Sequence, residues 1–239
     1  MNALKITLLA KQAVCLPLAY NYLVQSALYA DWRSAYPDLH GTGYMDGGRH
    51  FRLFTFGPLT GSSRVEDKSI VFQGLVRLEV RSPVAELMEI LAEALIKRGT
   101  LRIGRYDLPV VSLEASDALL FRSAATIEML SPLSIHETLP DGHTRYYAPT
   151  EDVFPLLLAQ NLESKLRAAE EPLPSHFGCG LIGGQAKKRV TTFKGIYVTG
   201  YMGRFRLETD PRTMAFLYYT GLGTRNSQGF GMFSMLADT

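Results

Sequence analysis

The 239-residue sequence lacks the features of several large classes of protein. Its two cysteines, Cys15 and Cys179, have no metal-binding spacing, and we expect two reduced thiols rather than a disulfide framework. The five histidines show neither HxxxH nor HxH spacing, and no paired-carboxylate signature is evident. The sequence therefore predicts no metal site and no other cofactor.

Long hydrophobic runs are also missing. The most apolar stretch lies at the N-terminus, where Lys5 and Lys11 interrupt it, and no run approaches the ~18 residues that a membrane span needs. No signal-peptide cleavage site follows that stretch, so the sequence predicts a cytoplasmic protein without a membrane partner. The net charge is only +2, so any phosphate-binding surface must come from local clusters of charge.

The order of the predicted elements repeats once along the chain. Alternating and helical hydrophobic patterns predict strands and helices in the same order in both halves. In the first half we predict a strand at 3–10, a helix at 17–35, strands at 51–57 and 69–80, a helix at 82–99 and a strand region at 101–115. In the second half we predict a strand at 124–135, a helix at 151–169, strands at 190–199 and 204–208, a short helix at 210–221 and a strand at 230–236.

This repeated order predicts an α+β fold of two tandem ferredoxin-like (RRM-like, βαββαβ) modules. The pattern breaks at 116–123, which predicts an N-terminal module of residues 1–118 and a C-terminal module of residues 119–239. The open faces of such sheets, and the cleft between two of them, are common platforms for RNA.

The most specific motif is GLGTRNSQGFGMF at residues 221–233, which we call the G-loop. It follows a predicted helix and precedes a strand, which is the reverse of a dinucleotide fingerprint, and it lacks the Gly-Lys-Ser/Thr ending of a Walker loop. Glycine permits positive φ and lets backbone N–H groups approach a phosphate closely. We predict that RNA-binding residues of this loop include Gly221, Gly223, Arg225, Asn226, Gly229 and Gly231.

With this loop before its last strand, the chain resembles the CRISPR-associated repeat-processing endoribonucleases of the RAMP superfamily. A second similarity is LHGTGYMDGGRHFRLFTFGPL at 39–59, which resembles that family's Leu-His, variable loop and basic-aromatic strand, with Gly57 at a position that is usually serine. A third is MLSPLSI at 129–135. Together with the element order, the resemblance covers essentially the whole chain.

The resemblance implies cleavage of CRISPR repeat RNA without a metal ion. The 2′-hydroxyl attacks the adjacent phosphodiester, which leaves a 2′,3′-cyclic phosphate and a 5′-hydroxyl, and the products are mature guide RNAs. His40 matches the family's catalytic histidine because it follows Leu39 just after the first helix, and His50 is the alternative. Tyr29 falls where some members have a catalytic tyrosine, and Arg52 where some have a basic residue, usually lysine. Arg52 would stabilise the charge of the phosphorane, with Arg49 as an alternative cation.

The other histidines, His136, His143 and His176, are predicted to be solvated loop residues. A basic cluster, KKRVTTFK, supplies the predicted RNA-binding residues Lys187, Lys188, Arg189 and Lys194. Phe193 and Tyr197 interleave with this cluster and are predicted to offer faces for base stacking.

Repeat RNA is the predicted partner, together with other subunits of a CRISPR effector complex and a second copy of the chain. The alternative function is that of a non-catalytic RNA-binding subunit of such a complex, which shares the fold and the glycine loop. The presence of His40 at the family position favours the nuclease.

Overall fold

The computed structural model describes residues 1–33, 44–115 and 119–236, which form two α+β modules in chain order. The first module begins with the long strand β1 and contains two helices against one antiparallel sheet. Its elements are β1 (Ala3–Pro17), α1 (Asn21–Trp32), β2 (Tyr44–Asp46), β3 (Arg49–Phe51), β4 (Thr55–Phe56), β5 (Thr60–Glu66), β6 (Ser69–Arg81), α2 (Ala85–Arg98), β7 (Thr100–Ile103) and β8 (Tyr106–Ala115).

The second module is also α+β, with a smaller sheet and two separate two-stranded ribbons. Its elements are β9 (Ala124–Met129), β10 (His136–Thr138), β11 (Thr144–Tyr146), α3 (Phe154–Ala168), β12 (Gly178–Leu181), β13 (Lys187–Phe193), β14 (Ile196–Met202), β15 (Arg204–Glu208), α4 (Pro211–Thr220), the 3₁₀-helix Asn226–Gln228 and β16 (Phe233–Met235).

Both modules have the ferredoxin-like strand order. The first sheet runs β4-β6-β1-β8-β7, and the second runs β12-β15-β9-β16. In each sheet the first strand of the module lies between the third and the fourth, and the second strand flanks the third. The predicted tandem ferredoxin-like architecture is therefore confirmed. Residues 116–118, where we place the module boundary, lie outside the described residues, so the boundary stays a prediction.

Several predicted elements differ from the structure. Pro17 ends β1 and does not open a helix, and α1 begins at Asn21. The predicted strand at 190–199 spans the turn of a hairpin, β13–β14, which joins neither sheet among the described residues and has one isolated bridge, from Tyr201 to Leu133. The second strand of the C-terminal sheet is instead β12, which we did not predict.

Each module has its own hydrophobic core. The apolar face of α1 and the strands of the first sheet bury Val24, Leu28 and Trp32, and burial of such side chains contributes about 1.5–3 kcal/mol each. A second core forms around α3 and α4, with Leu158 and Phe233 fully covered. Within the described part of the chain, no helix is long and apolar enough to cross a membrane.

Arg81 joins the two modules. Its side chain is 2% exposed, it donates to the carbonyl of Phe233 at 2.7 Å, and its guanidinium lies 3.8 Å from the centre of the Tyr218 ring. Its charge is balanced by Glu79 on the same strand at 2.7 Å. These contacts fix the relative position of the two sheets, because a buried guanidinium that loses a partner is costly.

Candidate functional site

A cleft of about 870 Å³ lies between the two modules and is lined by residues of both. The first module contributes α1 and the segment from β3 to β4. The second module contributes β10, one face of α3, the end of β13 and the G-loop. Basic side chains of both modules line it: Arg49, Arg52, Lys165, Lys194 and Arg225. This arrangement suits a polyanion that passes between the modules.

Tyr29 and Arg52, two of the predicted catalytic residues, both line this cleft, and their catalytic roles stay predictions. Tyr29 is half-buried, and its ring makes an edge contact with Phe54 at 5.7 Å between centroids. Its hydroxyl lies within reach of the side chains of Ser227 and Arg52. Burial raises the pKa of this phenol, and the guanidinium of Arg52 opposes the effect only in part. Tyr29 is therefore protonated at neutral pH and able to donate a hydrogen bond.

A bend in the chain turns Arg52 toward the cleft. The predicted strand at 51–57 is interrupted after Phe51, where Leu53 has a φ of +45°. A leucine in this region is strained, and it is held because its side chain is 5% exposed in the second core. The strand resumes as β4, whose Thr55 and Phe56 lie under the G-loop.

The four glycines of the G-loop permit close packing within the protein. All have positive φ, and a Cβ on each would lie 2.7 Å or less from another atom. At Gly223 a Cβ would lie 2.6 Å from the carbonyl oxygen of Ser134, and at Gly229 it would lie 2.6 Å from the ring of Phe56. Glycine is therefore required at these positions because other segments of this protein pack closely against them. The approach of RNA to Gly221, Gly223, Gly229 and Gly231 stays a prediction.

Side chains of the first module hold the G-loop by its carbonyl groups. Asn21 donates to the carbonyl of Gln228 at 2.9 Å, and Gln25 donates to that of Ser227 at 2.7 Å. Within the loop, Asn226 donates to the carbonyls of Leu222 and Phe230 at 3.1 and 3.0 Å. The amide nitrogen of Asn226 thus closes the loop, and its predicted contact with RNA stays a prediction. Arg225 lines the cleft and bonds Gln228 at 3.2 Å.

Lys165 is a cleft residue that we did not predict. It lies on α3, is 3% exposed and donates to the carbonyl of Gly221 at 2.9 Å. Burial lowers its pKa to about 7 because the charged form is poorly solvated there. Its sequence context is that of an ordinary surface lysine, so no sequence signal distinguishes it.

His136 corrects our expectation of a solvated loop residue. It opens β10, lines the cleft, and is half-buried with its Nδ1 at 2.9 Å from Oγ1 of Thr224. Burial lowers its pKa to about 4, with Arg225 and Arg49 adding to the effect, so the ring is neutral at physiological pH. The other two histidines of this module, His143 and His176, are exposed as predicted.

The predicted catalytic histidine, His40, lies outside the described residues. Its rival His50 is exposed on β3 and lines the cleft. The choice between them therefore stays a prediction. Among the described residues, no group of three or more His, Cys, Asp or Glu side chains is arranged to hold a metal ion.

The predicted basic cluster lies on the ribbon β13–β14, which we call the basic hairpin. Lys187, Lys188 and Arg189 are exposed on β13, and Lys194 at the turn lines the cleft. Tyr197 is 72% exposed and available for stacking. Phe193 is 6% exposed in a small core, so our expectation that it stacks on bases is wrong.

Two ferredoxin-like modules with a glycine loop at a cation-lined cleft define a chain of the RAMP type. The sequence-family model for the N-terminal part of the CRISPR-associated protein Cas6 matches residues 15–114. The family model for its C-terminal part matches residues 115–235. The chain belongs to the Cas6 family. This confirms the resemblance seen in the sequence.

Individual relatives agree. The chain is 27% identical to the CRISPR-associated endoribonuclease Cas6 1 of Methanocaldococcus jannaschii over 227 residues, which is 91% of this chain and 86% of the relative. Among solved structures, a Cas6-related protein from Pyrococcus furiosus superposes with a TM-score of 0.85 at 19% identity over 100% of this chain and 99% of the other. A Cas6 product complex superposes with a TM-score of 0.70 at 18% identity, covering 98% and 99%. The structural matches support the fold.

Proposed function

We propose that this Cas6 chain is an endoribonuclease that cleaves CRISPR repeat RNA to give mature guide RNAs. The observation that carries the proposal is the cleft between the modules, in which Tyr29 and Arg52 meet Ser227 of the G-loop. The curated relative is itself named a Cas6 endoribonuclease. We place the activity in the prokaryotic cytoplasm, where repeat transcripts are made.

The proposed reaction is an attack of a ribose 2′-hydroxyl on the adjacent phosphodiester. The oxygen of the 2′-hydroxyl bonds to phosphorus and loses its proton, the bond to the 5′-oxygen breaks, and the leaving oxygen takes up a proton. The products are a 2′,3′-cyclic phosphate and a 5′-hydroxyl, and the overall reaction requires neither water nor a metal ion. The protein must move the protons and stabilise the charge of the phosphorane.

Arg52 and Tyr29 are suited to bind the reacting phosphate and ribose. An arginine remains charged and presents two parallel N–H donors to phosphate oxygens, so Arg52 stabilises charge but does not supply the proton. The protonated hydroxyl of Tyr29 lies beside Arg52 and can orient the 2′-hydroxyl. Histidine suits proton transfer because its ordinary pKa is near ~6.5. We assign this step to His40, because Tyr29 on the helix before it and His50 on the second strand after it both line the cleft.

A cleavage assay tests the proposal. Purified wild-type protein in EDTA is expected to cut cognate repeat RNA once per repeat and leave 5′-hydroxyl ends that polynucleotide kinase can label. His40→Ala is expected to lower the single-turnover rate by about 10²–10⁴-fold, because a missing general acid or base costs that much. His50→Ala is the matched control, and its rate should stay within about threefold of wild type.

The alternative function makes a different prediction in the same assay. A non-catalytic RNA-binding subunit would bind the repeat and yield no product with wild type or either variant. Loss of cleavage in His50→Ala with retention in His40→Ala would move the proton transfer to His50 and contradict our assignment.

The basic hairpin is proposed as a second RNA contact outside the cleft. Lys187, Lys188 and Arg189 are exposed along one strand, and the ribbon pairs with no other described strand. Replacing all three by alanine is expected to weaken repeat binding by at least about tenfold near ~0.15 M salt. A variant that contacts three fewer phosphates releases fewer counterions when it binds RNA. The slope of log K against log salt should therefore become shallower by about 2.

The control for the hairpin variant removes the same charge elsewhere. Lys68, Lys97 and Arg102 are exposed in the first module and do not line the cleft. The triple alanine variant at these positions should leave both the affinity and the salt slope close to wild type. Equal losses in the two triple variants, measured by filter binding, would mean that only net charge matters.

Protein partners are the remaining part of the proposal. They are other subunits of a CRISPR effector complex and a second copy of this chain. The exposed edge of the first sheet supports a protein partner: all seven residues of β5 are exposed, and β5 pairs only with β6 among the described strands. An edge strand presents unpaired backbone groups to which another chain can add.

A further inference from the structure

His136 takes part in a short chain of hydrogen bonds at the edge of the cleft. Its Nδ1 lies 2.9 Å from Oγ1 of Thr224, and that same oxygen lies 2.9 Å from the carbonyl oxygen of Ser134. The backbone N–H of Thr224 also donates to Ser134, at 2.8 Å. The ring itself packs on Tyr146, with 5.3 Å between the ring centroids.

This chain of bonds fixes which ring nitrogen carries the proton. A carbonyl oxygen can only accept, so the hydroxyl of Thr224 must give its hydrogen to Ser134. The same hydroxyl then has only lone pairs to offer His136, and Nδ1 of the ring must be the donor. Because the ring is neutral, Nε2 carries no hydrogen and is an acceptor.

Nε2 is the unused end of this arrangement. His136 is half-buried and lines the cleft, and among the described residues none hydrogen-bonds Nε2. The charged groups that bear on the ring are Arg225 and Arg49. Cations suit phosphate, whereas a neutral acceptor among them suits a group that offers N–H or O–H.

We propose that Nε2 of His136 accepts a hydrogen bond from the bound RNA, donated by a ribose 2′-hydroxyl or by an N–H of a nucleobase. The inference rests on the proposed function and adds a substrate contact from the second module, whereas Tyr29 and Arg52 belong to the first. His136 thereby selects for a donor at one position of the repeat. It is a binding residue, and it moves no proton in the reaction.

Two substitutions separate this contact from support of the G-loop. In His136→Asn the amide nitrogen can replace Nδ1 as donor to Thr224, while nothing replaces Nε2. In His136→Gln the longer amide places an oxygen acceptor near the position of Nε2. Single-turnover cleavage at increasing protein concentration gives a half-saturating concentration and a maximal rate for each variant.

We expect the half-saturating concentration of His136→Asn to rise about tenfold, which corresponds to one hydrogen bond, with a maximal rate within about threefold of wild type. His136→Gln should restore the half-saturating concentration to within about threefold. A lower maximal rate at unchanged half-saturation, or equal behaviour of wild type and His136→Asn, would overturn the inference while leaving the nuclease intact. Absence of cleavage by wild type would instead refute the proposed function.

The donor is identified with modified competitor RNAs. Each competitor has one 2′-deoxy sugar, or one base that lacks its amino group, such as inosine for guanosine, and its inhibition constant is measured against labelled repeat RNA. One modification should weaken binding to wild type about tenfold and have no further effect on His136→Asn. If the modification that weakens binding is a 2′-deoxy sugar, the donor is a ribose hydroxyl. If it is an altered base, the donor is a base N–H and His136 reads the sequence. If every modification weakens binding to wild type and to His136→Asn equally, Nε2 contacts no donor and the inference is wrong.

Discussion

A repeat RNA with a single 2′-deoxy nucleotide just upstream of the scissile phosphate is expected to bind but not to be cut. The missing hydroxyl is the proposed nucleophile. Its removal therefore prevents the first step altogether, whereas the loss of a catalytic side chain only slows that step. Binding should stay within about tenfold of the all-ribose RNA, because one hydroxyl contributes at most about 1.5 kcal/mol among many phosphate contacts. This is the largest effect that we predict.

The experiment compares three substrates that differ in the position of one deoxy sugar. Sugars one nucleotide upstream and one nucleotide downstream of the reacting sugar serve as controls, and both RNAs should be cut at nearly the normal rate. Gel electrophoresis measures cleavage, and filter binding measures affinity. Cleavage of the first substrate would identify water as the nucleophile and exclude the cyclic phosphate product.

Gly231→Ala is expected to destabilise the protein by at least about 3 kcal/mol and to abolish repeat binding. A Cβ at Gly231 would lie 1.9 Å from the carbonyl oxygen of Leu222 and 2.5 Å from the amide of Asn226. The 1.9 Å contact is with backbone, so rotation of the Asn226 side chain cannot relieve it. The left-handed φ of +76° adds about 1–2 kcal/mol for any residue with a Cβ.

Gly142→Ala provides a matched control for the cost of φ alone. Gly142 has a φ of +84°, and a Cβ at this position would meet nothing within 4 Å, so its replacement should cost only about 1–2 kcal/mol. Urea unfolding curves of the two variants measure the difference. Equal shifts would mean that the G-loop moves to accept a side chain and that its packing does not restrict it.

Much of the fold follows from the sequence because its signals are local. The helix signals around 82–99 and 210–221 agree with the structure: Gly99 closes α2 in the left-handed region, and Asp210 caps α4 through Thr213 at 2.9 Å. The errors arose where local signals were weak. β12 has the sequence GCGL, which lacks the β-branched and aromatic residues that mark a strand.

The site was predictable only in part, since its geometry depends on contacts between distant residues. Tyr29 and Arg52, which were chosen because they match a family pattern, do line the cleft. His136 was missed because its partner Thr224 lies 88 residues away, and Lys165 because a buried lysine has no signature in a helical pattern. The hairpin turn at Lys194 and Gly195, with φ of +49° and +83°, was readable from the glycine that interrupts the predicted strand.

The bond from Asn21 to the carbonyl of Gln228 spans 207 positions of the chain. During synthesis on the ribosome, the helix that holds the loop emerges long before the loop itself. A nascent chain therefore has no finished cleft until the loop has left the exit tunnel, and contacts of such long sequence separation form late in folding. We conclude that a translation product truncated before the loop has no completed site with which to capture transcripts.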